Sequence, residues 1–304
     1  MSLLTRREAL ATLPALACAC ARAADAGPIP LGFSLYGMKS LSLADALKAC
    51  RDTGYDGVEF ALMPGYPAEP KLLGAADRKA LRARLAHHKL AVHGLMENLP
   101  EPATDAVHKA NLDRLKAAAE LGHALAPDTP PPIESVLGGK PAEWDKVKDR
   151  LAERLGAWAE VGRGAKTVIA VKPHVGNALH ALDGATWLVK QVNSAWLRLA
   201  FDYSHFELRG VKLADAVTAL VPLAAFVHVK DAKGTADKFE FLLPGAGATD
   251  YSAYAKLLVG AKYAGPVVVE VSGMVSAKPG YDAVAAARES RAALAKAFAP
   301  RAKN

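Results

Sequence analysis

The chain has 304 residues, 51% of them hydrophobic and 23% charged, with a net charge of +7 and a pI of about 9.2. That length and composition hold one large core, and α/β barrels commonly run past 250 residues as one domain. Lysines and arginines are scattered, with no basic stripe interleaved with aromatics, which speaks against a nucleic-acid-binding protein. A basic balance suits a sugar acid or another anion slightly better than a cationic substrate.

The N-terminus reads as a targeting segment. Thr5-Arg6-Arg7 and Glu8 precede the alanine- and leucine-rich run ALATLPALACACA, followed by the small-residue sites Ala21-Arg22-Ala23 and Ala24-Asp25-Ala26. A basic start, a short apolar region and A-x-A sites make an export signal, and the arginine pair resembles a twin-arginine one. The expected organisation is therefore residues 1–26 as signal and linker, 27–304 as the folded domain, and a periplasmic or otherwise exported product. The apolar run, broken by Pro14, is too short to span a membrane, and Cys18 sits in a poor lipid-attachment context. Cys18 and Cys20 leave with the signal. Cys50 alone cannot form an internal disulfide and is expected in the core.

Along the rest of the chain, residues 31–36 (LGFSLY) suit a first strand. Residues 42–54 predict a helix with Ser42 as N-cap and Gly54 as its stop. GVEFAL at 57–62 is a second strand, carrying Glu59; 75–89 is a charged amphipathic helix; 90–99 is a third strand and its loop, carrying His93; 104–124 is a helix. Prolines at 127 and 130–132 leave only 133–137 free to pair as a fourth strand. A helix at 142–162 precedes the strand TVIAVKPH at 167–174. Helices at 183–193, 212–220 and 250–265 precede the strands LRLAFD (197–202), AAFVHVKD (224–231) and PVVVEV (266–271), and a last helix covers 281–298. The stretch between 231 and 250 reads as a long loop.

Eight strands thus alternate with helices, without internal repeats. Short, unbroken apolar strands imply a parallel sheet covered on both faces. Eight βα units predict an α/β protein of the (β/α)8 TIM-barrel type. The alternative is a doubly wound open sheet, but the G-x-G-x-x-G such a sheet suggests after its first strand is absent. Lys172, Asp202, His228 and Glu270 end four consecutive apolar runs, spaced by 30, 26 and 42 residues; one βα unit takes roughly 30. Alternation in LRLAFD turns Leu197, Leu199 and Phe201 toward the outer helices and Arg198, Ala200 and Asp202 toward the axis. The four polar side chains should then meet at the C-terminal rim, where barrel active sites are built.

Asp202 lies in FDYSH, which also offers His205; His228 lies in HVKD beside Lys230 and Asp231; Glu270 lies in VVVEVSG. Asp, His and Glu form an ordinary ligand set for Mn²⁺, Mg²⁺, Co²⁺ or Zn²⁺. Any one of them alone is more often a cap or a satisfied polar group; three in order at barrel spacing point to function.

FDYSH, HVKD, PGAGATD and VVVEVSG together resemble the sugar phosphate isomerase/epimerase family of xylose isomerase-like barrels, as do GYDGVEF and KLAVHGL earlier in the chain. The resemblance covers roughly residues 30–298. It implies a small sugar or sugar derivative as substrate and isomerisation, epimerisation or a related lyase or hydratase step. It also implies a divalent metal held by a Glu, an Asp, a His and a second Glu, with the glutamates shuttling a proton between adjacent sugar carbons. Carried over by motif, Asp202, His228 and Glu270 are metal ligands and Glu270 is also the catalytic acid/base. His174, His205 and Lys230 meet substrate or metal, and Glu59 and His93 line the pocket.

One position departs from the family. Where its first Glu stands, this chain has Lys172-Pro173-His174. An ammonium about 4 Å from another cation costs on the order of 4 kcal/mol at an effective dielectric of ~20, and more against a dication. Lys172 can then be a neutral general base beside a metal, an ammonium in the metal's place, the mark of a non-catalytic carbohydrate-binding barrel, or a Schiff-base lysine. The preferred reading puts the ammonium in the metal's place, stabilising an enediolate-like intermediate while Glu270 moves the proton. His87, His88, His108 and His123 are expected on the surface, Trp144 and Trp158 in the core, and the glycines of PGAGATD in a substrate loop or a turn before a helix.

Overall fold

The structure, a computed structural model, describes residues 29–299. The expected leader, with Cys18 and Cys20, lies outside the described residues. In chain order the strands are β1 (Leu31–Ser34), β2 (Gly57–Ala61), β3 (Ala91–Met96), β4 (Ile133–Ser135), β5 (Ile169–Val171), β6 (Leu197–Asp202), β7 (Ala224–Val229), β8 (Asp231–Thr235), β9 (Lys238–Leu242) and β10 (Val267–Val269). The helices are α1 (Leu43–Thr53), α2 (Ala75–His88), α3 (Asp105–Leu125), α4 (Trp144–Ala165), α5 (Leu182–Val192), α6 (Ser204–Glu207), α7 (Leu213–Leu220), α8 (Tyr251–Gly260), α9 (Gly273–Ser276) and α10 (Ala283–Ala295).

Strands β1 to β7 and β10 close into one parallel barrel, β10 pairing with both β7 and β1. Local signals start and stop the elements where chemistry requires. Ser42 Oγ accepts the Asp45 N–H at 3.1 Å, and Gly54, at φ +85°, ends α1 in a left-handed turn that costs glycine nothing. Thr104, Asp250 and Asp282 cap α3, α8 and α10 in the same way.

Two cores result. The larger lies between barrel and helices and holds Phe33, Phe60, Phe201 and Trp158, each worth about 1.5–3 kcal/mol of burial or more. Cys50 belongs to it, with burial pushing its thiol up to about 12. The smaller core fills the barrel axis with Ala170, Ala200, Phe226 and Val268. Lys172, Asp202, His228 and Glu270 each stand two residues further along from one of these four. In a strand a step of two keeps the same face, so all four point inward at the C-terminal end.

Three details differ from the sequence reading. The stretch after β7 is an antiparallel hairpin, β8–β9, paired from Asp231↔Leu242 to Thr235↔Lys238, where a loop was expected. Gly234, at φ +102°, lies beside the backbone of Lys238, an approach that no Cβ would allow. Strands β5 and β10 stop at Val171 and Val269, so Lys172 and Glu270 stand one residue beyond them. His108 is buried rather than on the surface, because α3 packs along α4 and covers it. Among the described residues, no helix is long and apolar enough to cross a membrane.

Candidate active site

The C-terminal rim surrounds a cavity of about 190 Å³ whose floor carries Lys172, Lys230 and Glu270 and whose wall carries His174 and His205. Phe241, delivered by the hairpin, closes one side; Tyr36, Asn98, Asn177 and Ser272 are among the other lining residues. Phe241 packs edge-on against His205, with centroids 5.0 Å apart, and lies 4.9 Å from Lys230 Nζ.

Lys172 Nζ donates to Glu270 Oε2 at 2.6 Å, contacts His228 Nδ1 at 2.9 Å and lies 3.5 Å from Glu134 Oε1. Burial opposes its charge, but Glu134, Glu270 and Asp202 outweigh burial and hold its pKa above the ordinary lysine value. Lys172 is therefore an ammonium, which rules against both a neutral base and a Schiff-base nucleophile. Lys230 donates to Asp202 Oδ2 and, at 2.8 Å, to Glu270 Oε2. Burial acts against ionisation of Asp202 and Glu270. The lysines prevail and hold both carboxyls well below the usual range, with His205 adding to the effect on Asp202 and His228 to that on Glu270.

The imidazoles have assigned roles. Val175 N–H donates to His205 Nδ1 at 3.3 Å, so the ring proton sits on Nε2, 3.4 Å from Asp202 Oδ2. Burial and Lys230 push His205 down to about 4, so the ring is neutral at physiological pH. His174 is held still lower, by burial and by His205. His228 places Nε2 3.1 Å from both oxygens of Glu59. Burial and Lys172 pull its pKa down, Glu59 and Glu270 pull it up, and the balance is about 9.

The expected site residues thus divide into layers. Lys172, His174, His205, Lys230 and Glu270 face the cavity; Asp202 and His228 lie just beneath, and Glu59 is wholly buried under His228. His93 stands apart from the cavity. Its ring fills the barrel interior beside Gly32 and Gly57, where an added Cβ would meet it at 2.4 and 2.5 Å. A register shift between Val58 and Glu59 in the β2–β3 pairing puts Gly94, rather than His93, opposite Glu59.

Sequence reasoning passed over Glu134, a wholly buried carboxyl with no hydrogen-bond partner among the described residues, pushed up to about 7 by burial. Its signal was one acid in a three-residue strand, inward by register. Asn98, Asn177 and Phe241 were also passed over; only the last had a signal, the alternation in KFEFL. The glycines of PGAGATD have a structural task, since Gly245 and Gly247 N–H donate to Asp231 Oδ2 at 2.9 and 2.7 Å.

One ligand atom each from Asp202, His228 and Glu270 lies within 4.8 Å of the others, a spacing suited to one ion. An ion there would stand beside the ammoniums of Lys172, on Glu270 and His228, and of Lys230, on Asp202 and Glu270. Each ammonium about 4 Å from a dication costs on the order of 8 kcal/mol at an effective dielectric of ~20. With both lysines in place, the donor set does not fit a divalent metal.

Closed barrel, rim cluster and residue order define an α/β barrel with a polar, buried site at its C-terminal rim. The family described as the xylose isomerase-like TIM barrel matches residues 47–297, and the chain belongs to it. No curated protein matches the chain. Among solved structures, 3-keto-D-glucoside 4-epimerase YcjR from E. coli aligns at TM-score 0.69 and 17% identity, covering 88% of this chain and 99% of that one. The IOLI protein with a bound zinc atom aligns at 0.73 and 18%, covering 89% and 100%. The probable 3-DHS dehydratase AsbF from Bacillus anthracis aligns at 0.73 and 14%, covering 88% and 98%. At these identities the likeness is one of fold.

Proposed function

We propose that this chain is an enzyme that moves a proton at the carbon next to a carbonyl in a monosaccharide-sized sugar or sugar derivative, giving isomerisation or epimerisation. The observation that carries the reading is the state of Glu270. Its contacts with Lys172, Lys230 and His228 all run through Oε2, leaving Oε1 without a partner among the described residues at the edge of the cavity.

Oε1 takes the proton from carbon, the C–H electron pair forms the enediolate double bond, and the carbonyl oxygen becomes the oxyanion. Return of the proton to the neighbouring carbon, with that carbon's hydroxyl proton passing to the oxyanion, gives isomerisation; delivery of a proton from water to the opposite face of the first carbon, while Glu270 keeps the one it took, gives epimerisation. A carboxylate paired with two ammoniums is a weak base in isolation. In this transfer, however, the negative charge only moves from Glu270 to the substrate oxygen, within reach of the same cations. An ammonium has three N–H groups. Lys230 uses two on carboxylates, and the protonated Nε2 of His205 cannot accept the third, which is available to the oxyanion. Lys172 acts through its charge.

Neutral His174 accepts the Gly176 N–H on Nδ1 at 3.2 Å, so its Nε2–H can donate to substrate. Loss of a hydroxyl from the same enediolate would give a lyase or dehydratase, the activity named for one structural neighbour. The export signal read in residues 1–26 supports a periplasmic site of action and a free sugar.

Solvent deuterium incorporation into ketoses, aldoses and 3-keto sugars tests the reading. Wild type should label substrate, and Glu270→Gln should lose 10²- to 10⁴-fold in rate. A second reading, a carbohydrate-binding barrel without turnover, is favoured by the depressed basicity of Glu270. Saturable sugar binding without label in any member of the panel would establish it and end the first.

A further inference from the structure

Asn98 is held in an unusual conformation by an unusual amount of structure. Its φ is +43°, in the left-handed region, which asparagine tolerates at a cost. The residues around it are tied down. Glu97 N–H donates to Glu134 O at 2.9 Å, and Arg114 donates to Glu97 O at 2.8 Å while pairing with its carboxylate. Leu99 N–H donates to Ser135 Oγ at 2.8 Å, and Asn111 Nδ2 donates to Pro100 O at 2.8 Å. Strand β4 and helix α3 thus fix the turn on both sides of Asn98, whose side chain lines the cavity. Asn177 lines the same cavity from the loop after β5, where its N–H donates to His174 O at 3.0 Å. Neither carboxamide hydrogen-bonds to another of the described residues.

The charges around the same space are arranged against an anion. Among the described residues, no arginine lines the cavity. Lys172 is paired with Glu270, contacts His228 Nδ1 and lies 3.5 Å from Glu134, and among the described residues no acceptor takes the third N–H of Lys230. The negative oxygen Oε1 of Glu270 has no partner among the described residues and faces whatever enters. A phosphate or carboxylate would confront that oxygen with one N–H of a cation, that of Lys230, and neutral donors to offset it. A hydroxyl would donate to it. Carboxamides, with two donors and an acceptor each, match hydroxyls, which also donate and accept.

We propose that the site takes an uncharged polyol of monosaccharide size, and that Asn98 and Asn177 are its specificity-determining residues, each hydrogen-bonding a substrate hydroxyl. The substrate class rests on the sugar reading above; the roles of the two asparagines require only binding.

The test is calorimetric binding of free ketohexoses, aldohexoses and 3-keto sugars, their monodeoxy analogues, their 6-phosphates and the aldonic acids, to wild type, Asn98→Gly and Asn177→Ala. Glycine relieves the left-handed backbone, so Asn98→Gly should fold at least as stably as wild type, as a melting curve will show. The proposal expects neutral sugars to bind best, each variant to lose on the order of tenfold for the preferred sugar, and each variant to stop discriminating one deoxy analogue. Preference for phosphates or aldonates, no binding of any neutral sugar, or variants that bind and discriminate like wild type would overturn it. Binding in this pattern without deuterium exchange sustains this proposal and removes the catalytic reading. Exchange confined to charged sugars does the reverse.

Discussion

Lys172 Nζ and Glu270 Oε2 meet at 2.6 Å, from positions 98 residues apart at the ends of β5 and β10. The pair stands on the floor of the rim cavity. Its partners explain why a lysine survives there: Glu134 lies below, Glu270 above and Asp202 within Coulomb range, so burial does not strip its proton. A cation supplied by the chain itself stands at the centre of the site.

Substitution of Lys172 should therefore act on stability and on metal affinity in predictable directions. Lys172→Met leaves Glu134 and Glu270 without their shared cation and should cost about 3–5 kcal/mol in denaturant unfolding. Lys172→Glu should be comparably unstable alone and should recover on addition of Mn²⁺ or Zn²⁺, seen as a rise in Tm and as metal retained in elemental analysis. Wild type should retain no stoichiometric divalent metal. One equivalent of tightly held metal in wild type would end the account of Lys172.

Asp231 sets the wall of the cavity from outside it. Its buried carboxylate accepts from Gly245 and Gly247 N–H and, at 2.7 Å, from Tyr251 OH, tying the far end of the hairpin to its start. Asp231→Ala removes three charge-assisted bonds and should cost about 3 kcal/mol. With the hairpin loosened, Phe241 no longer packs firmly on His205. The expected signature is a higher KM with kcat little changed, and new proteolytic cleavage between residues 231 and 250. An unchanged KM and no new cleavage would show that the hairpin is held by other contacts.

The barrel was legible because its signals are local. Apolar strands, capped helices and glycine stops recur at a spacing that few folds share, and alternation along LRLAFD gave the facing of Asp202. The rim cluster followed from the same count. What escaped depended on register and on long-range contact. The shift between Val58 and Glu59 removes His93 from the cavity, and nothing in AVHGLM signals it. Glu134 looked like part of a strand too short to carry a pattern. The β8–β9 hairpin was hidden because DAKGTADK is polar, and only packing of Phe241 on the rim makes it a wall.

The interior below the site offers a packing test. A Cβ on Gly32 would stand 2.4 Å from His93 Nδ1 and 3.2 Å from Val268 Cγ2, in an axis already filled. Gly32→Ala should cost about 1–3 kcal/mol by overpacking, and His93→Ala should cost about 2 kcal/mol or more by the void it leaves. The double variant should be more stable than the sum of the two losses, by about 1–2 kcal/mol, because each change makes room for the other. Additive losses in urea unfolding would place the His93 ring elsewhere.

His93 also predicts a dependence of stability on pH. Burial is the main cause that lowers its pKa from the ordinary 6.5 to about 4, with Asp56 and Glu59 opposing only in part. A histidine depressed in the fold is neutral there while the unfolded chain binds a proton more readily. Its contribution is therefore complete above about pH 6.5 and is lost as pH falls toward 4. A shift of this size corresponds to about 3 kcal/mol across that window. Other groups titrate in the same range, so the comparison is with His93→Gln, which keeps a polar side chain but cannot take up the proton. The difference between the two unfolding free energies should change by about 3 kcal/mol between pH 7 and pH 4, wild type losing more. Parallel curves would mean that His93 is solvated enough to charge without cost.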